Sequence, residues 1–274
     1  MCYIRALHAT DFYKTNHIFQ YPENTTFVLS NMTPRSDRWA TVLPDFDHKV
    51  INFGAQGVAK WLLRDLWNDT FFNQPKEKVV RQYKRRMDNS LGKGVVTIDH
   101  IAALHDLGYL PVSLWELPEG ARVDIRVPLW IIYNTLPEFY WVTNYLETQL
   151  SSELWKPLTT ATVAHEFRRL IDHYNEKTGG VTEFVPWQGH GFEARGMSGV
   201  HDSAVNGAAH LLSFTGTDTI LGIDYLEDYY NADSDNILIG GSVPATEHSV
   251  MSASIITEME NVKKEMEENP NLIL

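Results

Sequence analysis

Ile237-Leu238-Ile239-Gly240-Gly241-Ser242-Val243-Pro244 is the stretch from which the fold is read. The three aliphatic residues predict a short strand and the glycine pair predicts a turn. Pro244 predicts the first residue of a helix, since its φ suits that position and its missing N–H is not needed there. Glycines let backbone approach a ligand closely, and unpaired N–H groups at a helix start suit a phosphate or a carbonyl oxygen. An ordinary βα turn has the same composition, so the stretch alone marks architecture. Working backwards, the rhythm repeats. Val200 to Leu212 is a small-residue helix, Leu211 to Phe214 leads into Thr215-Gly216-Thr217, and Ile220 to Tyr230 is helical again. From residue 181 onward this alternation predicts a mostly parallel α/β sheet or barrel.

Before residue 180 the pattern is different. Phe27-Val28-Leu29 reads as a strand ending near Pro34, and residues 110–133 read as strands broken by the turn Pro118-Glu119-Gly120. Residues 54–69 have helical apolar spacing at Val58, Trp61, Leu62 and Leu66. Residues 138–154 are helical, and Pro157 is expected to break that helix. The next helix carries Val163, Phe167, Leu170, Ile171 and Tyr174 on one face and ends at Gly179-Gly180. A domain change is therefore placed near 180, with an α+β domain over 1–180 and the first part of an α/β barrel over 181–274. A whole barrel takes about 200 residues or more. Fewer than half that number follow residue 180, so an incomplete barrel is expected. A last helix is predicted over 252–268, with Ile255, Met259, Val262 and Met266 on one face, stopped by Pro270 ahead of Leu272-Ile273-Leu274.

Hydrophobic residues are 43% and charged residues 21% of the 274, an ordinary globular balance, and eight tryptophans and twelve tyrosines exclude a disordered chain. The net charge of −12 disfavours nucleic acid as a partner, because phosphate backbones are held by clustered Lys and Arg. The basic run from Lys76 to Arg86 is read first as a solvated helix face, and a phosphate or partner contact is left open. No apolar run approaches the roughly 18 residues of a membrane span. Cys2 has no second cysteine to pair with, and the first fourteen residues lack the apolar core of a signal peptide. A cytoplasmic protein is expected.

Four short constellations carry polar or aromatic groups suited to chemistry. His248, next to Glu247, lies just after the predicted helix start, one turn from a candidate anion site; a plain surface or core histidine is the first reading. Gly189-His190-Gly191-Phe192-Glu193-Ala194-Arg195-Gly196 joins a ring able to stack on a flat heterocycle to an arginine able to hold a phosphate. Thr215-Gly216-Thr217-Asp218-Thr219 puts an acid at a strand end, a common place for a site and for a helix cap. Ala9-Thr10-Asp11-Phe12-Tyr13-Lys14 brings an acid and an aromatic together.

Taken in order, these segments resemble the nicotinamide phosphoribosyltransferases, members of the type II phosphoribosyltransferase family. The resemblance rests on Ala9 to Lys14 with His17 and Gln20-Tyr21-Pro22, on Tyr140 to Asn144 with Glu147-Thr148, and on Trp155 to Thr159. Its strongest parts are Arg195 to Gly199, Phe214 to Thr219 and Gly241 to Ser249. It runs from about residue 5 to 250 and is thin over roughly 35–100. The implied fold is the α+β domain followed by an irregular α/β barrel. The implied reaction joins nicotinamide to phosphoribosyl pyrophosphate, the pyridine nitrogen attacking ribose C1 as pyrophosphate leaves. It yields nicotinamide mononucleotide for the salvage of NAD.

Residue by residue, the resemblance implies that Phe192 stacks on one face of nicotinamide and that Tyr13, from the second subunit of a homodimer, closes the other. Asp218 accepts a hydrogen bond from the carboxamide, and its charge repels nicotinic acid. Arg195 contacts the ribose-phosphate part, Ser242 and Val243 line the pocket, and Asp11 sits beside the ring nitrogen. Arg35 and Arg38 are candidates for a neighbour's phosphate site. His248 is implied to be phosphorylated by ATP. Mg²⁺ is implied at the pyrophosphate, with ligands expected mostly beyond Leu274. The chain departs from the pattern at Gly191, where the family has Asp, and at Glu193 and Ala194, where it has Gly or Ser and an aromatic. Alternatives are a nicotinate phosphoribosyltransferase, against which the charge of Asp218 argues, and a non-catalytic nicotinamide-binding fragment.

Overall fold

The computed structural model describes residues 4–40, 43 and 45–269. The readings of Cys2, Pro270 and Leu272-Ile273-Leu274 lie outside the described residues. Two 3₁₀ segments, Ala6–His8 and Phe12–Phe19, precede strands β1 (Leu29–Met32) and β2 (Lys49–Ile51). Helix α1 (Ala55–Val58) runs into π-helical turns over Ala59–Leu66 and Asn68–Phe72. Helix α2 (Lys76–Leu91) buries Val79, Tyr83 and Met87 at i, i+4 and i+8. Its lysines and arginines lie on the other faces, where Lys76 pairs with Asp106 and Lys84 with Asp88. Helix α3 (Asp99–Leu107) begins with an acid in its first turn and ends at Gly108, which has φ +83°.

Strands β3 (Val112–Glu116), β4 (Arg122–Asp124) and β5 (Trp130–Asn134) follow. An antiparallel sheet has the order β1-β5-β3, with Leu29 opposite Tyr133 and Val112 opposite Asn134. Strands β2 and β4 make a separate antiparallel pair, Val50 opposite Val123. On the central strand Trp130, Ile132 and Asn134 are buried and the residues between them are not, the period of two that a sheet imposes. The strand expected at Phe27 starts instead at Leu29, because the Val28 N–H is taken by the Asn134 side chain (2.8 Å) and not by a strand partner.

A helical turn, α4 (Val142–Tyr145), leads into helix α5 (Glu147–Thr178), 32 residues without a break at Pro157. This corrects the expectation that Pro157 ends the helix. The Pro157 ring is buried beside Gly54, where a Cβ would meet it at 3.4 Å. Burial of the ring and of a helix face offsets the lost N–H bond. The amphipathic stripe is also used differently from what its spacing suggests. Beyond Leu158 the buried residues of α5 are Ala161, Thr162, Ala164 and Glu166, while Phe167 and Tyr174 are exposed. Small side chains let the helix approach β2 and the next helical layer closely. Ile51 N–H donates to Thr162 Oγ1 (3.0 Å), and Thr160 Oγ1 lies 2.6 Å from Asn206 Oδ1. Gly179, left-handed at φ +69°, ends the helix as expected.

Short helices α6 (Val185–Gln188) and α7 (Glu193–Gly196) precede α8 (Val200–His210) and α9 (Ile220–Tyr230). One core gathers Trp67, Phe71, Tyr83, Ile101, Leu104, Ile132, Leu146, Leu150 and Leu154. A second gathers Ile51, Phe53, Ala161, Val205, Ala208, Ala209 and Tyr225. Helix α5 contributes to both. All these elements belong to one compact unit, residues 1–241, and residues 242–274 form another.

The second unit contains helix α10 (His248–Glu268), not a helix opened by Pro244. The Glu247 carboxylate caps it by accepting the Val250 N–H (2.9 Å), so His248 is its first residue and not one turn inside it. Val250, Ile255, Ile256, Met259 and Met266 are exposed along α10. No helix among the described residues is long and apolar enough to cross a membrane.

Candidate functional site

Three short extended segments lie side by side, joined by isolated parallel bridges. Gly191 bridges Thr217, and Gly216 bridges Gly241. Four backbone bonds hold them: Gly191 N–H to Gly216 O (3.1 Å), Asp218 N–H to Gly191 O (2.8 Å), Thr217 N–H to Gly241 O (2.8 Å) and Gly241 N–H to Thr215 O (2.9 Å). The predicted strand at 237–239 is corrected to this pairing at Gly241, because Ile237 and Leu238 are exposed and only the glycine comes close enough to pair. At Gly216 a Cβ would meet His190 Nδ1 at 2.8 Å, which explains a residue without a side chain between the outer two.

Phe192 directly follows Gly191 of the first bridged segment, and Asp218 directly follows Thr217 of the second. Phe192 is 64% exposed, so its ring offers a face. The His190 ring stands 4.9 Å from it, tilted by 44°. His190 Nε2 lies 2.8 Å from Asp218 Oδ1. The histidine, given no role by the sequence beyond its place in the segment, thus connects the stacking ring to the acid. Its separation of 28 residues from Asp218 left no local signal. Behind them His210 stacks on Phe214 (5.1 Å, 19°) and directs Nε2 at the carbonyls of Gly189 (3.2 Å) and Gly216 (3.1 Å), so that nitrogen carries the proton.

A nicotinamide phosphoribosyltransferase of Acinetobacter baylyi is 56% identical over 248 residues, which are 90% of this chain and 48% of that protein. The chain is a homologue of the nicotinamide phosphoribosyltransferases. A further nicotinamide phosphoribosyltransferase, from Mycoplasma genitalium, is 31% identical over 269 residues, 92% of this chain and 54% of its own length. The crystal structure of human nicotinic acid phosphoribosyltransferase aligns with a TM-score of 0.55 at 17% identity, over 78% of this chain and 36% of that one. At that identity it supports a related mixed helix-and-sheet fold and nothing finer. No family model matches the chain. The chain spans about half the length of the curated relatives it matches.

In this phosphoribosyltransferase homologue the remaining candidate residues lie in several places. Arg195 is on α7, exposed, three residues after Phe192. Asp11 and Tyr13 form a second cluster around the start of α5. Asp11 Oδ2 accepts the Thr148 hydroxyl (2.6 Å), while Tyr13 is 59% exposed and meets His17 edge-on at 5.0 Å. Beside them Lys14 is buried, with Nζ bonded to Asn144 Oδ1 (2.6 Å) and paired with Glu147. Trp155-Lys156-Pro157 and Ser198 are brought together, since Lys156 Nζ lies 3.3 Å from Ser198 Oγ and 2.5 Å from Asp202. Burial raises the Asp202 carboxyl, but the Lys156 ammonium and the Ser198 N–H outweigh it and hold the group below the ordinary carboxylate range. Arg35 lines a cavity of about 940 Å³ with Asn31, Trp130, Trp155 and Val163. Arg38 lies over the Trp39 ring at 5.0 Å. Ser242, Val243 and His248 belong to the unit 242–274, where Val243 is 70% exposed. Among the described residues no three His, Cys, Asp or Glu side chains are grouped so as to hold a metal ion.

Proposed function

We propose that the chain carries the nicotinamide-recognising part of an enzyme that makes nicotinamide mononucleotide and pyrophosphate from nicotinamide and phosphoribosyl pyrophosphate. What supports this reading above all is the pairing of an open ring face at Phe192 with the Asp218 carboxylate, tied through the 2.8 Å bond from Asp218 N–H to Gly191 O. A flat pyridine stacked on Phe192 leaves its edge for hydrogen bonds, and its carboxamide NH₂ donates to Asp218. Nicotinic acid in the same pose would bring a second carboxylate to Asp218, an unfavourable contact. The nitrogen lone pair then forms the bond to ribose C1 while the C1–oxygen bond breaks and its electron pair leaves with pyrophosphate. The role of the chain is to orient the ring, with Asp11 beside the ring nitrogen.

In the same proposal Tyr13 of a second subunit closes the stack in a homodimer. Arg195, Ser242 and Val243 line the pocket, and Arg35 and Arg38 reach the partner's phosphate site. His248 receives a phosphoryl group from ATP. Residues 1–180 serve as the α+β domain and 181–274 as the first part of the barrel, in a cytoplasmic enzyme. Among the described residues no three His, Cys, Asp or Glu side chains are placed to hold Mg²⁺.

The test is titration calorimetry with nicotinamide and nicotinic acid on the wild-type chain and on Asp218→Asn, alongside a mass-spectrometric assay for the mononucleotide. Wild type is expected to prefer the amide. The variant is expected to lose about tenfold in nicotinamide affinity and to gain relatively on the acid. Unchanged discrimination in Asp218→Asn would remove the acid from this role. Failure of both ligands to bind wild type would remove the site.

A further inference from the structure

Glu193 is a carboxylate with no place in the mechanism above, yet it is only 9% exposed. It opens α7 one residue after Phe192. Its backbone N–H donates to Thr219 Oγ1 (3.1 Å), and the same hydroxyl donates back to Glu193 Oε2 (2.6 Å). The two bonds close a ring between the residue after Phe192 and the residue after Asp218. Thr219 itself is 2% exposed, and its N–H is taken by Thr217 Oγ1 (2.9 Å). On the other side, Gly191, the residue before Phe192, accepts the Asp218 N–H. Ring and acid are thus held from both sides.

Gly191 and Glu193 also depend on each other. A Cβ built on Gly191 would lie 2.8 Å from both Glu193 carboxylate oxygens and 3.1 Å from His210 Cδ2. The carboxylate fills the space that a side chain at 191 would need. A side chain at 191 would push the carboxylate from the place where it accepts the Thr219 hydroxyl, so the glycine makes room for the clasp. Conversely, an acid carried on residue 191 would bring a carboxylate to much the same place once 193 were small.

We propose that Glu193 is a positioning residue for recognition of a neutral aromatic carboxamide, clasping Thr219 so that the Phe192 ring and the Asp218 carboxylate keep one separation and orientation, and that Gly191 is required for this clasp. The inference rests on the reading of Phe192 and Asp218 as the amide site. A buried carboxylate that accepts a hydroxyl hydrogen bond holds its partner far more closely than an exposed one does, because releasing it strands a polar group away from water.

The experiment measures affinity for nicotinamide and for nicotinic acid by titration calorimetry on the full chain, with thermal midpoints for each variant. Glu193→Ala is expected to lose about tenfold for nicotinamide and to narrow the preference for amide over acid. Glu193→Gln keeps an oxygen acceptor for Thr219 and is expected to stay within about threefold of wild type. Gly191→Ala, which keeps the acid but displaces it, is expected to match Glu193→Ala, and it serves as the reading if Glu193→Ala does not fold. Gly191→Asp combined with Glu193→Gly returns a carboxylate to the same space and is expected to restore both affinity and preference. Affinity and preference within about twofold of wild type in Glu193→Ala or in Gly191→Ala overturn the clasp. So does equal loss in Glu193→Gln and Glu193→Ala, which would make the site sensitive to any change at 193. Asp218→Asn separates this result from the reading beneath it. If that variant changes discrimination while the Glu193 and Gly191 variants do not, the clasp alone fails. If it changes nothing, the amide site fails first.

Discussion

Replacing Gly222 by Ala tests whether tertiary packing outweighs helix propensity at the site's foundation. Gly222 lies in α9 and faces Gly207 of α8. A Cβ there would stand 2.8 Å from Gly207 C, 3.0 Å from Ala208 N and 3.0 Å from Gly207 Cα. Ordinary contact begins near 3.4 Å, so the helices must separate by about 0.6 Å, and what must move is backbone. Propensity alone favours Ala over Gly by about 1 kcal/mol inside a helix. Overpacking of a closed contact costs about 1–3 kcal/mol, and a contact with no flexible side chain belongs at the upper end. The net expectation is a loss of about 1–2 kcal/mol, hence a fall of about 2–8 °C in Tm for a chain of this size. Circular dichroism melts and urea titrations on wild type and variant measure it. Gly207→Ala is the softer comparison, since its nearest neighbour is the Thr219 side chain at 3.1 Å. It should lose less. Because Thr219 lies at the head of α9, Gly222→Ala should also weaken nicotinamide binding. A higher Tm in Gly222→Ala would mean that propensity prevails and that the helices are not packed glycine against glycine as described.

His100 meets Trp141 and Phe19 edge-on, and burial lowers its pKa to about 4 despite the neighbouring Asp99. The unfolded chain takes up its proton near pH 6.5 and the folded chain near 4, so stability is lost as pH falls through that interval. His100→Phe should flatten the dependence of Tm on pH between 6.5 and 4, and an unchanged slope would exclude His100 as its source. His8, also lowered to about 4 by burial and by Arg5, Arg86 and Arg85, should add a second contribution in the same window, read from a His8→Phe melt series. Lys14→Met removes the partner of Asn144 Oδ1 and Glu147 from a buried position. It should cost about 1–3 kcal/mol, read as a lower urea midpoint, and an unshifted midpoint would show that the lysine is not needed there.

Much of the helical architecture is written locally. Val79, Tyr83 and Met87 give α2 its buried face at a spacing that needs only the chain itself, and Gly108 and Gly179 end helices through their own left-handed backbone. The two longer helices of 181–241 are legible for the same reason, α8 and α9 lying close to their predicted bounds. Where local rules meet a competitor they fail. Pro157 is a helix breaker by propensity, yet it lies inside α5 because its ring is covered by the neighbourhood of Gly54. The stripe Val163-Phe167-Leu170-Ile171-Tyr174 is apolar, yet along this part of α5 the buried residues are Ala161, Thr162, Ala164 and Glu166, the first three small enough to allow close approach. Pro244 fits the first turn of a helix, yet the start belongs to Glu247, whose side chain supplies the cap.

By itself the sequence determined which residue types are available at the site and in which short elements they occur, because propensity, periodicity and turn chemistry act over a few neighbouring residues. Only the tertiary structure decided that His190 reaches Asp218 across 28 positions and that Glu193 clasps Thr219 across 26. Those contacts depend on three short segments bridging in parallel through backbone bonds, and such pairing carries no side-chain signature along the chain.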